Sequence, residues 1–127
     1  MNEKMIFQTV GEVGLAELCR AFYRRVKVDR LIGGLYPDDD WEGAEERLLD
    51  FLCFRFGGIT RYTEKRGHPR LRARHMPFSI GKLERDRWME LMGAALEETV
   101  ENKEIREEFR QFFAQVADFM RNRPEEN

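Results

Sequence analysis

Both histidines of the chain fall inside one run, Gly67-His68-Pro69-Arg70-Leu71-Arg72-Ala73-Arg74-His75-Met76-Pro77-Phe78. A neutral imidazole is a good ligand for iron, zinc or copper, and Arg70, Arg72 and Arg74 beside it suit an anionic cofactor. Pro69 and Pro77 lack a backbone donor and fix their own φ. Any helix between them is therefore limited to about two turns, with His75 near its end. The pattern admits an axial metal ligand flanked by carboxylate clamps. It equally admits a half-buried loop histidine beside a solvated basic face, and spacing alone does not choose between the two.

The elements that must position this run are helical. From Gly14 onward, Leu15, Leu18, Cys19, Phe22, Tyr23 and Val26 recur at three and four residues, a core-facing stripe. Tyr23 lies on that stripe, so its hydroxyl must find a partner in the interior, a backbone carbonyl being the ordinary one. Residues 1 to 10 carry Met5, Ile6 and Val10 at the spacing of a short first helix, which Gly11 and Gly14 should interrupt. Gly33 to Asp40 reads as a loop, with Tyr36 its aromatic anchor and Asp40 a natural N-cap for a helix from Trp41 to Phe56. On that helix Ala44 and Leu48 sit one turn apart. A small residue followed by a medium one leaves space above the face they cover, which suits either a ligand cavity or close helix packing. Gly57-Gly58 should end the helix.

Residues 59 to 82 read as a long, mostly irregular connection, but Tyr62, Leu71, Met76, Phe78 and Ile80 argue that something orders it. Two further helices follow. Glu84 to Val100 carries Trp88, Leu91, Met92, Ala95, Leu96 and Thr99, and Lys103 to Arg121 carries Ile105, Phe109, Phe112, Phe113, Val116, Phe119 and Met120. Residues 120 to 127, with Pro124 and acids after it, read as a partly disordered tail. No strand-like alternation appears, so the class is all-α.

With 127 residues and 42% hydrophobic content, the chain supports one domain over residues 1 to 127. A net charge of −2 lacks the positive field of a dedicated nucleic-acid binder. Cys19 and Cys53 fall on apolar helical faces and read as buried thiols, no secretory leader is visible, and no apolar run is long enough to span a bilayer. These features predict a soluble cytoplasmic protein without a disulfide. No phosphate loop, nucleophile elbow, Cys-x-x-Cys pair or His-Glu-x-x-His motif is present.

Taken in order, Leu35-Tyr36-Pro37, Gly57-Gly58, Tyr62-Thr63-Glu64, Gly67-His68-Pro69-Arg70-Leu71-Arg72, Arg74-His75-Met76-Pro77-Phe78 and Arg85-Asp86-Arg87-Trp88 resemble the group II truncated haemoglobins over nearly the whole chain. The resemblance implies a two-over-two helical sandwich around non-covalent haem b, with most of the proximal helix replaced by a loop. His75 matches the histidine that binds the haem iron, whereas His68 matches a loop position. Tyr23, Tyr36, Ala44, Leu48 and Trp88 match the distal ligand pocket. Tyr62, Leu71, Met76 and Phe78 match cofactor contacts, and Arg47 and Arg74 match positions near the propionates. Ala44 stands where many globins carry histidine, so polar contacts fall to Tyr23, Tyr36 and Trp88. Ile59 departs from the proline usual after the two glycines.

What this implies for function is reversible binding of O2, carbon monoxide or nitric oxide at a His-ligated iron. An enzymatic alternative is nitric oxide dioxygenation or peroxide chemistry, since Tyr and Trp around a haem can donate protons or electrons. A reductase and a second copy of the chain are the further partners to be considered. A nucleic-acid module built on the basic loop is disfavoured by the acidic net charge.

Overall fold

The computed structural model describes residues 3 to 123 and is all-helical, with no strand among the described residues. Its elements are α1 (Glu3–Val26), α2 (Trp41–Gly57), α3 (Arg61–Arg66), α4 (Leu71–His75), α5 (Lys82–Thr99) and α6 (Lys103–Met120). Helix α1 packs against α2 and α5, α5 against α6, and the short α3 and α4 lean on α2 and α6. Four long helices thus form the frame, and the run that carries both histidines is slung across it.

The apolar stripes account for the frame. Leu15, Leu18, Cys19, Phe22 and Val26 of α1 are fully buried, and Leu52, Cys53, Met92, Leu96, Ile105, Phe109 and Phe113 meet them in one cluster. Both cysteines are buried free thiols. Of the two glycines expected to break the first helix, only Gly11 does, at φ 69° and ψ 176°, a left-handed conformation that costs glycine little. Gly14 continues the helix. Gly58 ends α2 at φ 67°, with its N–H donating to Phe54 O at 3.1 Å and that of Ile59 to Cys53 O at 3.2 Å.

Other expectations are corrected. The connection from 59 to 82 holds two short helices, α3 and α4, over eleven of its 24 residues, six and five. Helices this short leave no period to read. Asp40 precedes α2 but makes no capping bond, its carboxylate being taken by Arg47 Nη1 at 2.9 Å. Phe119, placed on the core stripe of α6, is 57% exposed. The expected tail begins within the fold at residues 120 to 123. Met120 is buried and Asn122 is hydrogen-bonded across the fold, while Pro124 and the acids after it lie outside the described residues.

Two carboxylates unforeseen in the sequence pin the short elements. Asp29 Oδ2 accepts from Leu31 N at 3.1 Å and Ile32 N at 3.0 Å, and Oδ1 from Arg87 Nε at 2.6 Å. Burial disfavours its charged form, but these bonds outweigh burial and hold the carboxyl below the usual range. This corner delivers Ile32, Leu35 and Tyr36 to the interior. Asp50, 4% exposed, accepts from Arg61 Nε at 3.2 Å and pairs with Arg66 Nη1 at 3.4 Å and Lys65 Nζ at 3.5 Å, which fastens α3 to α2. Breaking a fully buried ion pair costs about 3–5 kcal/mol. The Arg61 and Lys65 side chains are 37% and 50% exposed, so solvent takes over part of their charge. Asp50→Ala is therefore expected to lower stability by about 1–3 kcal/mol. Urea unfolding of the variant checks this, and an unchanged midpoint would show that α3 is held by its apolar contacts alone.

No helix among the described residues is long and apolar enough to cross a membrane.

Candidate functional site

The four long helices do not close completely. Between them and the α3–α4 segment lies a cavity of about 520 Å³, within the range of cofactor and ligand sites. Helix α4 brings Leu71, Arg74 and His75 to its wall, and Phe78 follows from the turn after it. Helix α2 contributes Ala44, Arg47, Leu48 and Phe51, α3 contributes Tyr62, and Tyr23, Tyr36 and Trp88 come from α1, the corner and α5. Of the site residues expected from the sequence, Met76 alone does not line the cavity. Its side chain is 56% exposed.

His75 ends α4 as expected, and its Nδ1 lies 2.7 Å from Leu71 O, one turn back. A carbonyl can only accept, so Nδ1 carries the proton and the ring is the tautomer with its lone pair on Nε2. That is the form in which an imidazole ligates a metal, with its other nitrogen fixed by a backbone acceptor. His68 is occupied elsewhere. It is exposed, and its Nδ1 accepts from Arg70 N at 3.2 Å, supporting the left-handed Arg70 (φ 41°) that opens α4.

The polar groups of the other walls belong to one aromatic cluster. Tyr23 stands edge-on to Tyr36 with centroids 5.6 Å apart, and Trp88 is wedged between Phe22 at 4.9 Å and Phe113 at 5.6 Å. Burial pushes the Tyr23 hydroxyl well above the usual phenol range, and neighbouring Tyr36 adds to the rise. Burial also raises Tyr36, against hydrogen bonding from Tyr23 and Trp88, which pulls its hydroxyl down. Both phenols are therefore neutral near pH 7, and both line the same cavity as the Trp88 indole.

Three guanidiniums stand at the cavity wall, and that of Arg85 is taken up by Asp118 Oδ1 at 2.7 Å and Asp86 Oδ1 at 3.2 Å. Arg47 is held through Nη1 by Asp40. Arg74 donates from Nε to Pro69 O at 2.7 Å and from Nη2 to Arg66 O at 2.6 Å and His68 O at 3.3 Å, and it lies over the Tyr62 ring at 5.9 Å. Arg47 and Arg74 each keep nitrogen donors for an anionic group. Ile32, Leu35, Ile80, Val116 and Met120 also line the cavity and were not among the expected site residues. Their apolar spacing marks a buried face, and a cavity wall shares that mark with a packed core.

A family model described as bacterial-like globin matches residues 5 to 122. The chain belongs to the bacterial-like globins, among the group II truncated haemoglobins. Group 2 truncated hemoglobin YjbI of Bacillus subtilis is 39% identical over 80% of this chain and 76% of its own length. The crystal structure of a thermostable hemoglobin from Thermobifida fusca is 40% identical, with a TM-score of 0.90 over 94% of this globin and 98% of that chain. A truncated oxygen-avid haemoglobin from Bacillus subtilis is 35% identical, with a TM-score of 0.86 over 92% and 98%.

The globin family implies a haem iron cofactor, and the cavity fits one. Haem is flat, mostly apolar and carries two carboxylates. The globin offers a largely apolar cavity, one imidazole, and the guanidiniums of Arg47 and Arg74 on the wall. Among the described residues no three His, Cys, Asp or Glu side chains are grouped to hold a bare metal ion.

Proposed function

We propose that this globin binds haem b non-covalently through His75 Nε2 and reversibly holds O2 and other diatomic ligands, carbon monoxide and nitric oxide among them, beneath Tyr23, Tyr36 and Trp88. The observation that carries the reading is the 2.7 Å contact between His75 Nδ1 and Leu71 O, which occupies Nδ1 and leaves Nε2 for a metal, at the wall of a cavity of about 520 Å³. Haem held by His75 would supply an iron atom able to bind a small diatomic ligand. The Bacillus subtilis relative is an oxygen-avid haemoglobin, which supports this assignment. His75 holds the cofactor and Leu71 O holds His75. Arg47 and Arg74 answer the propionates, and the apolar side chains of Leu48, Phe51 and Phe113 keep water out.

The visible spectrum of the purified protein, oxidised, reduced and under O2 or carbon monoxide, tests the proposal. A Soret band that shifts with each ligand is expected, and a colourless protein that takes up no added haem would refute it. Stopped-flow mixing of the oxygenated protein with nitric oxide, and of the oxidised protein with peroxide, separates a carrier from an enzyme. Fast turnover in either would favour the enzyme, and its sustained activity would then require a reductase.

The arginines are expected to govern retention of the cofactor and not ligand affinity. Arg47 is partly exposed, where an ion pair is worth about 0–1 kcal/mol. Arg47→Ala should therefore speed haem transfer to an acceptor apoprotein by up to about fivefold. Arg74→Ala should exceed it, because three backbone carbonyls of the segment before α4 lose their donor as well. A large change in O2 affinity at an unchanged rate of haem loss would contradict this assignment.

A further inference from the structure

The last described residues of the chain are bound to the segment that carries His75. Asn122 Oδ1 accepts from Ile80 N at 2.9 Å, and Asn122 Nδ2 donates to Phe78 O at 2.6 Å and to His75 O at 3.2 Å. The Asn122 backbone N–H donates to Ile80 O at 2.8 Å, and that of Arg123 reaches the same carbonyl at 3.2 Å. The flanks are fastened too. Arg72 Nη1 donates to Phe119 O at 2.8 Å and Arg121 O at 2.7 Å. Arg123 pairs with Glu84, whose Oε1 also accepts from Gly81 N at 2.7 Å at the start of α5.

Residues 76 to 81 contain Pro77 and belong to no helix, so their backbone groups need partners from elsewhere. A carboxamide offers two donors and one acceptor on a planar head. The segment presents two carbonyls and one N–H to it, so one side chain satisfies all three. No other residue type of this size can do so. Aspartate keeps the acceptor but sets a charge against two carbonyls, and leucine keeps the volume but pairs with none of them.

We infer that Asn122 is a positioning residue for His75. The Leu71 carbonyl sets the tautomer of the ring, and Asn122 sets the backbone from which the ring projects, so the two together set the aim of Nε2 into the cavity. The inference rests on the proposed role of His75 as iron ligand.

The test compares Asn122→Leu and Asn122→Asp in the haem-loaded protein. As a control it uses Arg106→Ala, which removes a tether between α6 and the α5–α6 turn through Val100 O and Glu97. Haem transfer to an acceptor apoprotein and the iron–histidine stretching band of the reduced, ligand-free protein are measured, together with amide exchange at Ile80 in the haem-free protein. Asn122→Leu is expected to speed haem loss about tenfold, equivalent to about 1.4 kcal/mol, to shift and broaden the band, and to speed exchange at Ile80. Asn122→Asp should do the same to a smaller degree, and it carries the test should the leucine variant not fold. Arg106→Ala should lower Tm and leave the band in place. Faster exchange at Ile80 with an unmoved band and unchanged haem loss in both Asn122 variants would overturn the inference, since the segment would then be held without aiming the ring. Failure of the iron-ligand reading shows separately, as absence of the band in the unmutated haem-loaded protein, and it overturns the inference as well.

Discussion

Purified His75→Ala protein is expected to carry little haem and to show no stable Soret band. The imidazole of His75 lines the cavity in the tautomer that leaves Nε2 free to ligate. No second histidine can replace it, because His68 is exposed and its Nδ1 is used by the Arg70 backbone. Altering groups that merely support a metal ligand typically costs about 10–100-fold in affinity. Loss of the ligand itself should exceed the upper end of that range, leaving apolar burial, Arg47 and Arg74 to hold the cofactor. His75→Gly gives the sharper experiment, since the space it opens admits free imidazole. Added imidazole should restore the Soret band in His75→Gly and have no such effect on the unmutated protein. Haem retention in His75→Ala equal to that of the unmutated protein would place the ligand on another residue.

The same histidine shows how far the sequence could be read. The order of motifs from Leu35-Tyr36-Pro37 to Trp88 identified the family, and eleven of the twelve expected site residues do line the cavity, Met76 being the exception. Helices α2, α5 and α6 were legible to within two residues at each end, because long amphipathic stripes flanked by cap residues are local signals. What was not legible depends on partners far apart in the chain. Asp50 binds cations 11 to 16 residues away, Asp29 reaches Arg87, and Asn122 reaches back to His75. A polar residue carries no periodic trace of such a contact, and each of these looks like ordinary solvated surface. Phe119 errs the other way, since it keeps helical spacing with the stripe of α6 and yet is 57% exposed.

Within the distal cluster, Trp88→Phe is expected to speed O2 dissociation by roughly 5- to 150-fold. Dioxygen held in the pocket draws negative charge onto its outer atom and accepts a hydrogen bond, whereas carbon monoxide is a poorer acceptor. A donor in a water-poor site is worth about 1–3 kcal/mol against such an acceptor, and 1.4 kcal/mol is a factor of ten. Ala44 supplies no competing donor from α2. The indole is fixed between Phe22 and Phe113, so a phenyl ring in its place keeps most of the packing and loses the N–H. Carbon monoxide dissociation should therefore change far less. The structure adds a sign for the tyrosines. Tyr36 stands beside Tyr23, and its hydroxyl faces the same pocket as the Trp88 indole, so a ligand would compete with that hydroxyl for the indole. Tyr36→Phe should release Trp88 to the ligand and slow O2 loss, and Tyr23→Phe should have a smaller effect than Trp88→Phe, or an opposite one. Dissociation rates of O2 and carbon monoxide across the three variants decide the matter. An unchanged O2 rate in Trp88→Phe with a large rise in Tyr23→Phe would move the principal donor from the indole to the phenol of α1.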